Sequence, residues 1–268
     1  MTQPDLTTLK QSDLAIRPLL ESAGSVFRDT FPNDSGNEVF GVDCGSRKLF
    51  VKHSEDPRHV EAFHRVERLY ARVPHEALPP LLNGFATPAG YALVFAWTDA
   101  EHFAFSGPRA RFAALPFAEK LRAFATVLDL HVRLEEAGYV AEDLYDGCFL
   151  YDFEAKRIYV CDLDEYHEGP FKLDRHRTFG STRFMAPEEW VRGATIDSRT
   201  TGFEVARAAA VLLSDREGSR EHFTGTPALW SVIVRATQRA PKDRFPTVAA
   251  FSRAWRGTRS LSLGEQSP

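Results

Sequence analysis

Apolar residues recur along this chain with two different periods, and the change from one to the other divides it. From 38 to 53, EVFGVDCGSRKLFVKH predicts two short strands about a Gly-Ser turn, the second carrying Lys52. Residues 57–73 place Val60, Phe63, Val66 and Tyr70 at steps of three and four, the period of an amphipathic helix. After the Pro-rich HEALPPLL, the stretch GFATPAGYALVFAW predicts two further strands around Pro-Ala-Gly. A break follows near Trp97–Asp99, and the helical period then takes over. Residues 117–137 put Leu121, Phe124, Leu128 and Val132 on one face, with Gly138 ending the helix. Helices are also predicted at TGFEVARAAAVLL (201–213), ALWSVIVRAT (228–237) and TVAAFSRAW (247–255). Strands first and helices second describe an α+β protein of two lobes whose loops meet in a cleft. The expected divisions are an N-terminal extension (1–30, with Leu14, Leu19 and Leu20 in a short helical period), a small antiparallel β-rich lobe (31–98), a larger mainly helical lobe (99–257) and a flexible tail (258–268).

Composition changes this picture little. The 268 residues are 43% hydrophobic and 26% charged with a net charge of −4, which offers no electrostatic footprint for nucleic acid or an anionic membrane. Cys44, Cys148 and Cys161 are odd in number and lack metal-type spacing, which points to free thiols in a reducing cytoplasm. No stretch reaches the roughly 18 apolar residues that a membrane span needs.

The candidate chemistry lies in two adjacent acidic stretches. AEDLYDGCFL (141–150) sets Asp143 and Asp146 in a polar turn before an apolar run, and RIYVCDLD (157–164) ends a run of β-formers on Asp162 and Asp164. If 148–152 and 157–161 pair as a hairpin across Phe153–Lys156, Asp143 and Asp162 emerge at one end of it. One carboxylate would then hold a cation and the other accept a proton from a hydroxyl. With Lys52 for anionic phosphates, the set suits phosphoryl transfer from a nucleotide. Asp is also common in turns beside strands, and a purely structural reading explains the pair as well.

Further motifs in order along the chain favour the chemistry. LFVK (49–52), LVFAWTDA (93–100), YVAEDLYDGCFL (139–150), CDLD (161–164), GSTRFMAPEE (180–189) and PKDRF (241–245) together resemble the protein kinase family. More narrowly, they resemble small soluble bacterial kinase-like proteins with a DLYDG-type loop. The resemblance runs from about Lys48 to Trp255 and implies a bilobal fold, ATP and Mg2+ or Mn2+ as cofactors, and a Ser/Thr hydroxyl of a protein substrate as acceptor. It implies that Lys52 binds the α- and β-phosphates and pairs with Glu67, Glu61 being the rival. Ala96 and Thr98 would present backbone groups to adenine, with Phe95 behind the ring. Asp143 would be the base and Asp162 the metal ligand, while the Ser181 hydroxyl bonds to the base. Glu188 and Arg244 would meet as a buried ion pair.

Departures from the family pattern are equally specific. The residue before the base is Glu142, which would repel a phosphate on Thr178 or Ser181. Tyr145 replaces the catalytic-loop Lys, and Cys148, a soft atom poorly suited to Mg2+, replaces the Asn metal ligand. Asp146 could supply the missing oxygen or simply cap the turn. NDSGNEVFG holds Gly36 and Gly41 without the family's GxGxxG, and Thr201 takes the place of the Asp that pins the loop. Three readings follow: an active Ser/Thr protein kinase, a pseudokinase scaffold, or a phosphotransferase with a small-molecule acceptor.

Overall fold

The computed structural model describes residues 3–30, 36–178 and 180–264, and the chain divides into two compact units, Met1–Asp99 and Ala100–Pro268. The architecture is α+β, with seven α-helices and four small sheets among the described residues, every strand pair antiparallel.

In the first unit the chain runs α1 (Ile16–Ala23), β1 (Ser25–Thr30), β2 (Glu38–Asp43), β3 (Lys48–Ser54), α2 (Pro57–Arg72), β4 (Leu81–Ala86) and β5 (Tyr91–Ala96). The strands form one sheet in the order β1-β2-β3-β5-β4. Alternation along each strand feeds two cores. Leu49, Val51, Ala92 and Val94 face Leu6 and the Ile16, Leu19 and Leu20 stripe of α1. Leu93 and Phe95, with Phe50, face Phe63 and Val66 of α2. Each large apolar side chain so buried contributes about 1.5–3 kcal/mol. α2 starts where Asp56 accepts the Arg58 amide (2.8 Å) and Pro57 presets the first turn. Lys52 is central in β3, opposite Val39 on one side and Leu93 on the other.

The expected N-terminal extension is no separate piece. β1 pairs with β2, and the few apolar residues before it cover one face of the sheet. Sparse as they are, they share a single helical stripe, and Leu14 lies outside it, exposed.

The second unit comprises β6 (Glu101–His102), α3 (Ser106–Ala113), α4 (Phe117–Glu136), β7 (Tyr139–Val140), β8 (Phe149–Asp152), β9 (Arg157–Val160), β10 (His167–Glu168), β11 (Phe171–Lys172), β12 (Thr195–Ile196), α5 (Ser198–Leu213), α6 (Pro227–Ala236) and α7 (Val248–Gly264). α4 is the central helix. It buries Phe124, Val127, Leu128, Leu130 and Leu134, and Phe124 meets Trp255 of α7 edge-on at 5.0 Å. Its Glu135 carboxylate accepts the Val248 and Ala249 amides (2.7 and 2.9 Å) and so caps α7. Gly138, at φ 87, ends α4 as expected. α7 continues to Gly264, so the tail expected from 258 starts as helix; residues 265–268 lie outside the described residues.

β8 and β9 form the expected hairpin, with the Asp152 carboxylate holding the Glu154 and Ala155 amides in its turn. β6 adds to the other side of β8, giving the order β6-β8-β9. No helix of the described residues is long and apolar enough to cross a membrane.

Candidate active site: the Asp143 loop and the Asp162 turn

Both acids singled out by the sequence sit at unusual backbone positions. Among the described residues, three that are not glycine have positive φ: Asp143 (69), Asp162 (57) and Lys156 (53), the last in the hairpin turn. Left-handed backbone costs a non-glycine residue about 1–2 kcal/mol, and Asp tolerates it better than most. Such strain tends to gather where a side chain must be aimed.

Asp143 follows β7 on a loop pinned from below. The Thr201 hydroxyl on α5 accepts the Ala141 amide at 3.0 Å. On the far side, the Cys148 thiol donates to the Asp143 carbonyl at 3.1 Å. Burial drives that thiol well above the ordinary range, so it stays S–H and is no thiolate ligand. The Cys148 carbonyl in turn accepts the Cys161 amide at 2.8 Å, coupling the loop to the turn that carries Asp162.

The Asp143 carboxyl is left uncompensated. Its Oδ1 is buried and finds no hydrogen-bond partner among the described residues. Burial, then the charges of Asp162, Glu165, Glu142 and Asp164, push it up to about 7. A carboxyl held so is a natural proton acceptor near neutrality and a natural neighbour for a cation. Gly180 closes over it. A Cβ there would come within 2.5 Å of Oδ1, and φ of +100 independently demands glycine. Ser181 follows, half-buried; the expected bond from its hydroxyl to Asp143 is not formed among the described residues.

Asp146 differs from both roles weighed for it. Its buried carboxylate takes two 2.8 Å contacts from Arg183 Nη2, and Arg109 lies at 3.7 Å. Two cations occupy the oxygens that a metal would need, and the acid ties the loop to the 180s segment. Tyr145 packs its ring over Gly147, and burial followed by the neighbouring Cys148, Asp143 and Asp162 keeps its phenol protonated. It is a neutral group where the family resemblance expects a cation.

Glu142 is fully buried against His167 Nε2 (3.0 Å) and Arg175. Burial pushes its carboxyl up, but these two partners outweigh that and hold it below the usual range. The acid therefore grips the downstream segment through an arginine without any phosphate. Thr178 is buried as well, its hydroxyl donated to Glu189 at 2.8 Å, so it is closed to modification in this arrangement. Glu188 and Arg244 form the expected buried pair, bidentate at 2.6 and 2.8 Å, with the Thr200 hydroxyl on the same carboxylate.

In the first unit Lys52 is buried, with Nζ 5.8 Å from the Phe63 ring centre. Glu67 accepts from Tyr91 Oη (3.0 and 3.2 Å) and meets His64 Nδ1 at 2.9 Å. Glu61 is exposed and pairs with Arg68. Phe95 is in the core, Thr98 is half-buried, and the Ala96 amide is already donated to the Pro80 carbonyl at 2.9 Å. The expected adenine contact at Ala96 therefore cannot use that N–H. Gly36, at φ 77, precedes β2, whereas 33–35 of the expected phosphate-covering loop lie outside the described residues.

No protein-family model matches the chain, and no curated protein matches it at a significant level. The arrangement of its own residues is what carries the functional argument.

Proposed function

We propose that the chain transfers the γ-phosphoryl group of ATP to a Ser/Thr hydroxyl of a protein substrate. The observation that carries this reading is Asp143: a strained, buried carboxyl without a partner on Oδ1, set among four other acids. Such a group is costly to fold around and is explained by use as a base beside a cation. Asp143 accepts or orients the proton of the acceptor hydroxyl. Asp162, exposed and left-handed, offers its carboxylate oxygens to Mg2+ or Mn2+, hard cations that prefer such donors. When bound, the ion neutralises phosphate charge. Lys52, in the first unit, is the ammonium group that the family resemblance assigns to nucleotide phosphates.

A nucleotide-binding scaffold is the second reading, and two observations favour it. The Cys148 thiol is spent on the Asp143 carbonyl, and Asp146 is spent on Arg183, so no second metal ligand is evident on this loop. A small-molecule acceptor is the third possibility for the same chemistry.

Intact-mass spectrometry after incubation with ATP and Mg2+ or Mn2+ tests the proposal, with generic protein acceptors and a readout of ATP consumption. Added phosphate on serine or threonine of the chain or of an acceptor is the expected result. ATP binding without any transfer leaves the scaffold, and ATP consumption without protein phosphate leaves the small-molecule acceptor. Absence of ATP binding with either metal overturns the proposal.

A further inference from the structure

We propose that His102, Cys161 and Asp162 form a binding site for a borderline divalent metal of the Zn2+ or Co2+ class. One ligand atom from each lies within 4.8 Å of the others. His102 Nε2 is 3.9 Å from Cys161 Sγ, and that sulfur is 3.9 Å from Asp162 Oδ2. Tetrahedral coordination with Zn–N, Zn–O and Zn–S bonds near their usual lengths sets ligand atoms about 3.4–3.8 Å apart. The two pairs that include sulfur are a few tenths of an ångström too long, and the His102–Asp162 pair, within 4.8 Å, closes by up to about 1.4 Å.

The backbone holds the three residues in place whether or not an ion is present. His102 closes β6 and Cys161 follows β9, the strands flanking β8 on either side. The Phe103 amide bonds to the Phe149 carbonyl at 2.9 Å, and the Cys161 amide bonds to that of Cys148 at 2.8 Å. Both side chains are thus delivered to the same end of β8, and Asp162 comes with Cys161 as its sequence neighbour.

The donor set selects the metal. Imidazole nitrogen and thiolate sulfur suit Zn2+ and its neighbours, whereas Mg2+ takes oxygen and holds its water. Three protein ligands with an exposed carboxylate leave a fourth position for water or an anion, the pattern of an open site rather than a closed structural one. The proton balance is defined. Cys161 coordinates as thiolate and gives its proton to solvent. The Ala104 amide now donates to His102 Nδ1 at 3.1 Å, which leaves the neutral ring's proton on Nε2. Coordination through Nε2 moves that proton to Nδ1, and the exposed Ala104 amide turns to water.

The site shares Asp162 with the phosphoryl-transfer reading but does not depend on it. A metal held by sulfur and nitrogen at this carboxylate competes with Mg2+ there, which makes the site an inhibitory input for the proposed activity.

Cobalt spectroscopy on the full chain tests the site without any assay of activity. Titration of the metal-free protein with Co2+ should give the near-ultraviolet thiolate-to-cobalt charge-transfer band. Cys161→Ser should abolish the band, and His102→Ala should weaken Co2+ affinity by about tenfold or more. Zn2+ should bleach the band at equimolar amounts, and Mg2+ in large excess should not. No band in the parent overturns the proposal, as does a band that survives Cys161→Ser, which would assign the sulfur to another cysteine. An affinity unchanged in His102→Ala also overturns it, and this variant keeps the test open if Cys161→Ser does not fold. A parent that lacks the band yet shows Mg2+-dependent ATP binding loses the metal site alone. A parent with the band but without ATP binding loses only the phosphoryl-transfer reading.

Discussion

Asp143 and Asp146 sit three residues apart on one loop, yet their surroundings treat them in opposite ways. Asp146 is given two arginines and becomes a strut. Asp143 is given four acids and a glycine, and its buried Oδ1 is left without a partner. The brace further along the chain repeats the first solution, with Arg244 and Thr200 both spent on Glu188. At Asp146 and Glu188 the buried charge is paired and braces the fold; at Asp143 the unpaired oxygen and the left-handed backbone are a cost to stability that a chemical role explains. On this loop the contrast separates the two acids where residue type and spacing do not.

The contrast breaks most visibly in catalysis. Asp143→Asn should lower phosphoryl transfer by about 10²–10⁴-fold while the ATP-induced rise in melting temperature persists. Equal transfer by variant and parent would remove Asp143 from its role. Next in size, Arg244→Ala leaves a buried carboxylate alone and should cost about 3–5 kcal/mol in urea unfolding. A loss under about 1 kcal/mol, the level of an exposed pair, would contradict its place as a brace. Gly180→Ala should cost about 1–3 kcal/mol from backbone strain and depress transfer further, because its methyl group meets the Asp143 carboxyl. Smallest in functional terms is Asp146→Asn. It should reduce stability by about 1–3 kcal/mol as Arg183 loses its charged partner, with the affinity for Mg2+ unchanged in isothermal titration. A clear drop in that affinity would return Asp146 to the metal.

Much of the architecture was legible because it rests on periodicity. The strands about Lys52, the helix carrying Phe63 and Val66, the long helix before Gly138 and the 149–160 hairpin all announce themselves through apolar spacing and turn residues. In the first 30 residues the short helical period through Leu19 and Leu20 was legible as α1, but β1 and the covering of the sheet were not, since a stripe of four apolar side chains in polar sequence says little until the sheet it covers is known. The short pairs β7–β10 and β11–β12 carry no period at all. Within the candidate site, the closeness of Asp143 to Asp162 and the Glu188–Arg244 pair were readable in the sequence. The partners of Asp146 and Glu142 were not, because Arg183 and Arg175 lie 37 and 33 residues downstream and arginines offer no spacing rule. Gly180 was visible only as a member of a motif; its φ and its closeness to Asp143 gave it a reason. Cys161 and His102 are separated by 59 residues, and only the β6-β8-β9 order brings them together.

A carbon-13 carboxyl titration of Asp143, followed by NMR and assigned with Asp143→Asn, is the most direct test of the contrast. Its folded value of about 7 lies above the ordinary 3.8, so the folded state holds the proton longer than the unfolded chain does. Stability should therefore decline as pH rises from about 4 to 7 and level off above, and added Mg2+ should pull the midpoint down as positive charge replaces repulsion. A midpoint near 7 that falls with Mg2+ is the predicted result. A midpoint near 4 that ignores the cation would mean that Asp143 is as well compensated as Asp146, and the contrast would fail.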